Sequence, residues 1–313
     1  NLGIILQDLG KLNEAEVFTR KAIQLNTECA DFYSTLGLIL DKVGKQKEAF
    51  AYYIKAIKIA PDQTNNYHKI TLFISNSNPL NLNKKELIYI LNILFERNDI
   101  DHIRLFRAFN SLYEKEFLNK IEKFSLDFST KEELKKFITD KLIIKVLGKI
   151  VLKDLKWEKL LTLQRKEISK LLLEKKHISP AQLKFTIAMA KQCFLNEYVY
   201  YFDNKEIEAI ERVINKYNND QIDENSCSLI ACYFPLYKLI DRIPSLKSIP
   251  SSRNSFRELM KLQFSEPLIE INLSKEIKRV GSINDLISKT VKSQYEENPY
   301  PRWRFGNPHK DSK

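Results

Sequence analysis

Glycine is scarce: the 313-residue chain holds seven. Gly-rich phosphate loops and many-turned β folds need glycine for positive φ and close backbone approach, so both are disfavoured. Ten prolines are also few, and long stretches carry none, which leaves room for uninterrupted helices. Four cysteines, Cys29, Cys193, Cys227 and Cys232, form no CxxC pair. The four histidines, His68, His102, His177 and His309, stand far from them in sequence. No zinc motif results, and cysteine this sparse points to reduced thiols and a cytoplasmic protein. No run approaches ~20 uncharged apolar residues, so no transmembrane helix is expected. A signal peptide is not evident either. The chain opens on Asn1 with a helical pattern already under way, and reads as part of a longer polypeptide.

What the chain does have is Leu, Ile, Lys and Glu. The apolar fraction of 43% is enough for packed cores. At ~150 residues per domain the length suggests about two domains. Together these favour an all-α fold. The net charge of +11 raises the question of nucleic acid. However, the lysines are scattered, usually near Glu or Asp, with no run of five or six like charges. Nucleic acid is not an expected partner.

Residues 1–78 repeat with a period of 34. Leu2-Gly3 matches Leu36-Gly37, Gly10-Lys11 matches Gly44-Lys45, and Glu14-Ala15 matches Glu48-Ala49. Lys21-Ala22-Ile23 likewise matches Lys55-Ala56-Ile57. That period is the mark of stacked helix-turn-helix units. Gly37 should let the first helix of its unit approach Ala49 on the second, and Gly44 should break the chain between them. Tyr33, Leu36, Tyr53 and Ala56 fall on inward faces, and Pro61 closes the unit. The pattern resembles the tetratricopeptide repeat, with departures at Thr19 and Thr27 in the first unit. A third unit begins at Tyr67 and loses the pattern, so Asn65 to Phe73 is read as a capping helix. The resemblance implies a groove, lined by the first helix of each unit, that binds a protein or peptide. Its positions here are Ile4, Gln7, Asp8, Asp31, Ser34, Leu38 and Asp41. They lack a basic clamp for a peptide carboxylate. The alternative is that the repeats pack only on their own chain or self-associate.

Ser75 to Pro79 reads as a linker into an all-helical middle domain, residues 79–290. Leu87, Ile90, Leu91 and Leu94 form one helical stripe; Ile103, Phe106, Phe109, Leu112 and Phe117 form another. Further helices are expected over 131–147, 155–175, 180–199 and 204–217, with a cap at Ser129 or Thr130 and a start at Ser179-Pro180. Two segments, Gln192 to Phe202 and Cys227 to Tyr237, are unusually rich in apolar and aromatic residues. One reading is a pocket with Asn196, Glu197 and Tyr233 as polar members. The preferred one is a buried core whose hydroxyls and amides are satisfied internally. Glu197 as a base or Cys193 as a nucleophile would need a histidine, and none lies within fifteen residues of either. After Pro250 a helix over 252–263 should end at Ser265-Glu266-Pro267. A polar–apolar run from Leu268 to Leu273 follows, then a helix ending near Gln294.

Residues 291–313 read as an extended join. Pro299 and Pro301 forbid a helix, and Tyr295, Tyr300, Arg302 and Trp303 crowd the same stretch. The run from Ser293 to Trp303 resembles a segment of bacterial tetratricopeptide-repeat proteins that carry a C-terminal class I S-adenosylmethionine-dependent methyltransferase domain. Gln192 to Val199 and Tyr233 to Tyr237 are similar to segments of the same proteins. The resemblance implies that a catalytic domain begins at the join. The middle domain would then pack on it or lid it, with Tyr295, Tyr300, Arg302 and Trp303 at the edge of its S-adenosylmethionine pocket. Within 1–313 no strand with a following Gly-rich turn can be found, so neither a cofactor site nor a catalytic residue is expected in this chain. A non-enzymatic repeat scaffold that kept the motif as a packing turn is the alternative.

Overall fold

The computed structural model describes residues 2–120, 131–276 and 285–297, and all regular structure among them is helical. The chain divides into two compact units, 1–164 and 165–313.

In the first unit, helices α1 (Leu2–Asp8), α2 (Leu12–Leu25), α3 (Ala30–Lys42) and α4 (Gln46–Ile59) form two hairpins. Gly10 (φ 75°) and Gly44 (φ 87°) sit just past the first helix of each hairpin, in the left-handed region. The amides of Lys11 and Lys45 then reach back to the carbonyls of Leu6 and Leu40, both at 2.8 Å, so the two turns close identically. Tyr33, Leu36, Tyr53 and Ala56 are buried, as their spacing requires. Gly37 is explained differently from expectation. Its missing side chain makes room for the Tyr53 ring, three of whose atoms would lie 3.2 Å from a Cβ there. Helix α5 (Thr64–Asn76) caps the stack, with Phe73 against the rings of Phe50 (6.0 Å) and Tyr53 (5.2 Å).

Helix α5 takes in Ser75 and Asn76, the first two residues of the expected linker. Ser77 is buried, its hydroxyl donates to the Phe73 carbonyl at 2.8 Å, and its own carbonyl accepts from Arg107. A 3-10 turn, Pro79–Asn81, leads to α6 (Lys84–Leu94), where the Asn83 side chain accepts from the amides of Lys85 and Glu86. A second 3-10 turn, His102–Leu105, leads to α7 (Phe106–Tyr113). Its tighter pitch turns Ile103 outward, 77% exposed, and Leu105 and Ala108 take the inward positions. The helix expected over 131–147 is two, α8 (Lys131–Thr139) and α9 (Lys141–Leu147). Asp140 separates them by accepting from the amides of Leu142 (2.8 Å) and Ile143 (2.9 Å), and from the Tyr113 hydroxyl (2.9 Å). The proposed caps Ser129 and Thr130 lie outside the described residues. Trp157 centres this part of the core, with ring centroids 5.1 Å from Phe109 and 6.1 Å from Phe137. Residues 79–164 thus group with the repeats, whereas the sequence drew its boundary near residue 79.

Helix α10 (Leu155–Leu173) contains the division at 164/165. The second unit then follows with α11 (Pro180–Leu195), α12 (Asn204–Lys216), α13 (Glu224–Ile230) and α14 (Asn254–Met260). Ser179 and Asp203 each form a reciprocal capping box, at the starts of α11 and α12. Helix α11 stops at Leu195, earlier than its apolar run suggests, because Glu197 and Tyr198 both take φ 59°. The break expected at Ser265-Glu266-Pro267 does not occur. A π-helical segment, Lys261–Ser265, carries the chain straight into α15 (Glu266–Glu276), with Pro267 at its second residue. The last described helix, α16 (Leu286–Glu297), follows and runs into the expected extended join at 291–313.

Candidate functional site

The groove positions fall on α1 and α3. Ile4, Asp8 and Asp31 are exposed, Leu38 and Asp41 are half-buried, and Gln7 and Ser34 are buried. Asp31 and Ser34 are drawn together with α5: Gln63, just before that helix, donates to Asp31 Oδ1 at 3.3 Å, and Lys69 Nζ lies 3.0 Å from Ser34 Oγ. Burial pushes the Asp41 carboxyl above its usual range, and no ion pair to it forms among the described residues. Burial, with the nearby Asp41 charge, likewise pushes the Tyr53 phenol well up. Gln7, one period upstream of Asp41, has its buried Oε1 without a hydrogen-bond partner among the described residues.

Carrying the period onward reveals a member that the sequence reading missed. Ile4 and Leu38 are followed at 34 residues by Leu72 on α5. Leu72 is 50% exposed and Ile4 41%, whereas the α3 neighbours Leu36, Ile39 and Leu40 are fully buried. An aliphatic side chain therefore stands at the same position of the alternate helices α1, α3 and α5, exposed on the first and last and half-buried at Leu38. The signal was the repeat itself, which fails on α5 at the small-residue positions but persists at this one.

In the second unit the two dense segments meet around Arg165. This arginine is 2% exposed, and its guanidinium lies 4.6 Å from the Tyr233 ring centroid, donating to the Tyr201 carbonyl at 2.5 Å. Glu206 lies 3.6 Å away and accepts from the Tyr233 hydroxyl at 2.9 Å; Ser169 Oγ is 2.8 Å from the same hydroxyl. Asn196 is buried, its Oδ1 accepting from the Tyr198 amide. Tyr198 donates to Gln263 on the π segment at 3.1 Å, and Gln263 Nε2 donates to the carbonyls of Ala190 (2.8 Å) and Ala231 (3.1 Å). A hydrogen bond with Cys232 and the Arg165 charge lower the Cys193 thiol against the effect of burial, whereas burial raises Cys227 and Cys232. Thus Tyr233, Asn196 and Tyr198 are bound into a core network. No cluster of three or more potential metal-ligating side chains occurs among the described residues.

Tyr300, Arg302 and Trp303 lie outside the described residues, as does the side chain of Tyr295, whose backbone is in α16. No described helix is long and apolar enough to cross a membrane. Residues 1–29 and 30–63 each match the tetratricopeptide repeat family. No curated protein and no solved structure matches the chain.

Proposed function

We propose that the tetratricopeptide repeats form a protein-interaction module that takes an amphipathic, basic peptide on the face running across α1, α3 and α5. The aliphatic row Ile4, Leu38 and Leu72, exposed at its two ends and half-buried at Leu38, carries this reading. It offers apolar contacts at regular intervals, a common way of receiving one side of a peptide. Asp41 adds the charge preference: a half-buried carboxylate with a raised pKa gains most from a cation brought by a partner. A displayed peptide library selected on the chain tests it. Selected peptides should pair aliphatic residues with Lys or Arg, and the double change Leu38→Glu and Leu72→Glu should weaken them at least tenfold without altering the melt. Selection of peptides indifferent to that double change would refute the assignment.

We further propose that this module belongs to a class I S-adenosylmethionine-dependent methyltransferase and positions its protein substrate. The resemblance from Ser293 to Trp303, with those at Gln192 to Val199 and Tyr233 to Tyr237, supports it. The described residues themselves do not fit the cofactor. They contain no strand, and the glycines at positive φ, Gly10 and Gly44, close turns inside the repeats. Cofactor binding and methyl transfer are therefore assigned to a domain beyond these residues. Calorimetry with S-adenosylmethionine separates the possibilities. The complete gene product should bind it and residues 1–313 should not. Binding by 1–313 would place the site in this chain, and no binding by either would leave a non-enzymatic scaffold.

A further inference from the structure

A cleft of about 690 Å³ opens in the first unit where α5 ends, lined by the 3-10 turn at Pro79–Asn81 and by α7. Two of its amide side chains, Asn78 and Asn110, are fixed by internal bonds. The Trp157 indole, which can only donate, gives its N–H to Asn110 Oδ1 at 2.7 Å. Asn78 Oδ1 accepts from the Leu80 amide at 3.1 Å. The oxygens of these two amides are thereby engaged, and their NH2 groups are the part left to offer. Arg107 joins them. One of its amino groups holds the Ser77 carbonyl, and an arginine has five N–H donors in all. Leu80 at the rim is 75% exposed, so the cleft is open to solvent, as an extended chain requires.

We propose that this cleft binds an extended acidic peptide. A peptide carboxylate meets Arg107, and main-chain carbonyls meet the NH2 groups of Asn78 and Asn110. Glu114, seven residues beyond Arg107 and about 10 Å along the helical path, also lines the cleft. It repels acid at its own end and so sets the direction in which the peptide lies. The site stands apart from the α1–α3–α5 face and takes a ligand of opposite charge, so the two assignments can fail separately.

Fluorescence anisotropy of the full chain with a labelled ten-residue Asp-Gly peptide tests the proposal. Saturable binding is expected with the unaltered protein. The double change Asn78→Asp and Asn110→Asp keeps both acceptor oxygens for Leu80 and Trp157, removes both NH2 donors and sets two carboxylates against the acidic peptide. It should weaken binding at least tenfold with the melt unchanged. Glu114→Gln, at an exposed position where folding is not at stake, should tighten binding severalfold. The proposal is overturned by an absence of saturable binding, or by affinity unmoved in both variants. It is likewise overturned by loss of binding in the Leu38→Glu, Leu72→Glu protein, or by displacement with inorganic phosphate as effective as with unlabelled peptide.

Discussion

Thr19 shows how much one side chain records. It stands where the repeat usually has an aromatic, it is buried, and its hydroxyl has no hydrogen-bond partner among the described residues. A buried hydroxyl without a partner is costly, and valine has nearly the same shape. Thr19→Val should therefore stabilise the protein by about 1 kcal/mol, read from the urea midpoint at unchanged slope. Arg165 is the opposite case. Its removal would leave the Tyr201 carbonyl without its donor, take one of two cations from Glu206, which keeps Lys166, and strip the cation from the Tyr233 ring. Arg165→Met should cost about 3 kcal/mol by the same measurement; a change below 1 kcal/mol would mean that the network contributes little. Asp41 makes a pH argument. Its folded pKa is raised, so its contribution to stability is full below the unfolded carboxylate pKa and is lost as pH rises through the folded value. Asp41→Asn should raise the melting temperature at neutral pH and give no advantage in acid.

Among the elements, the repeat hairpins were legible because their signals are local and repeated. Gly10 and Gly44 mark turns, and the period of 34 places the buried positions. Helix ends in the rest of the chain were less so. The break at Asp140 depends on Tyr113, 27 residues away, which shares the cap. The early end of α11 depends on Tyr198 turning inward to Gln263, 65 residues on. No local pattern encodes such partners. The cleft beside α5 was hidden for the same reason: Asn110 is oriented by Trp157, and neither residue suggests the other in sequence. Caps also carry a pH signature. Burial raises the Asp223 carboxyl, but the amide and hydroxyl of Ser226 and the Tyr217 hydroxyl more than offset this and hold it below its usual range. Its contribution is present above the unfolded carboxylate pKa and is lost as pH falls through the lowered folded value. Asp223→Asn should lower stability at neutral pH and flatten the acid limb of a melting-temperature profile; an unchanged acid limb would refute this.

For the molecule as a whole, the surplus of positive charge is the broadest property. Arg20 pairs with Glu16 and Glu48, Lys45 with Glu16, and Arg242 with Glu211. Paired and dispersed cations make a poor track for phosphates. Labelled duplex or single-stranded nucleic acid should show no retained binding at physiological salt, and binding that persists there would assign the charge a role. The second unit adds a constraint of another kind. A π-helical segment is what an α-helix becomes when one extra residue is accommodated without a change of path. The stretch from Lys261 to Ser265 holds such a supernumerary residue, and Gln263 within it reaches two carbonyls, one on α11 and one just past the end of α13. Chain length between Leu259 and Glu266 is therefore a fixed quantity. Deleting one residue would restore an ordinary helix on the same path but shift Gln263 away from the carbonyls of Ala190 and Ala231, so homologous chains should tolerate substitution around Gln263 far more readily than a change in length.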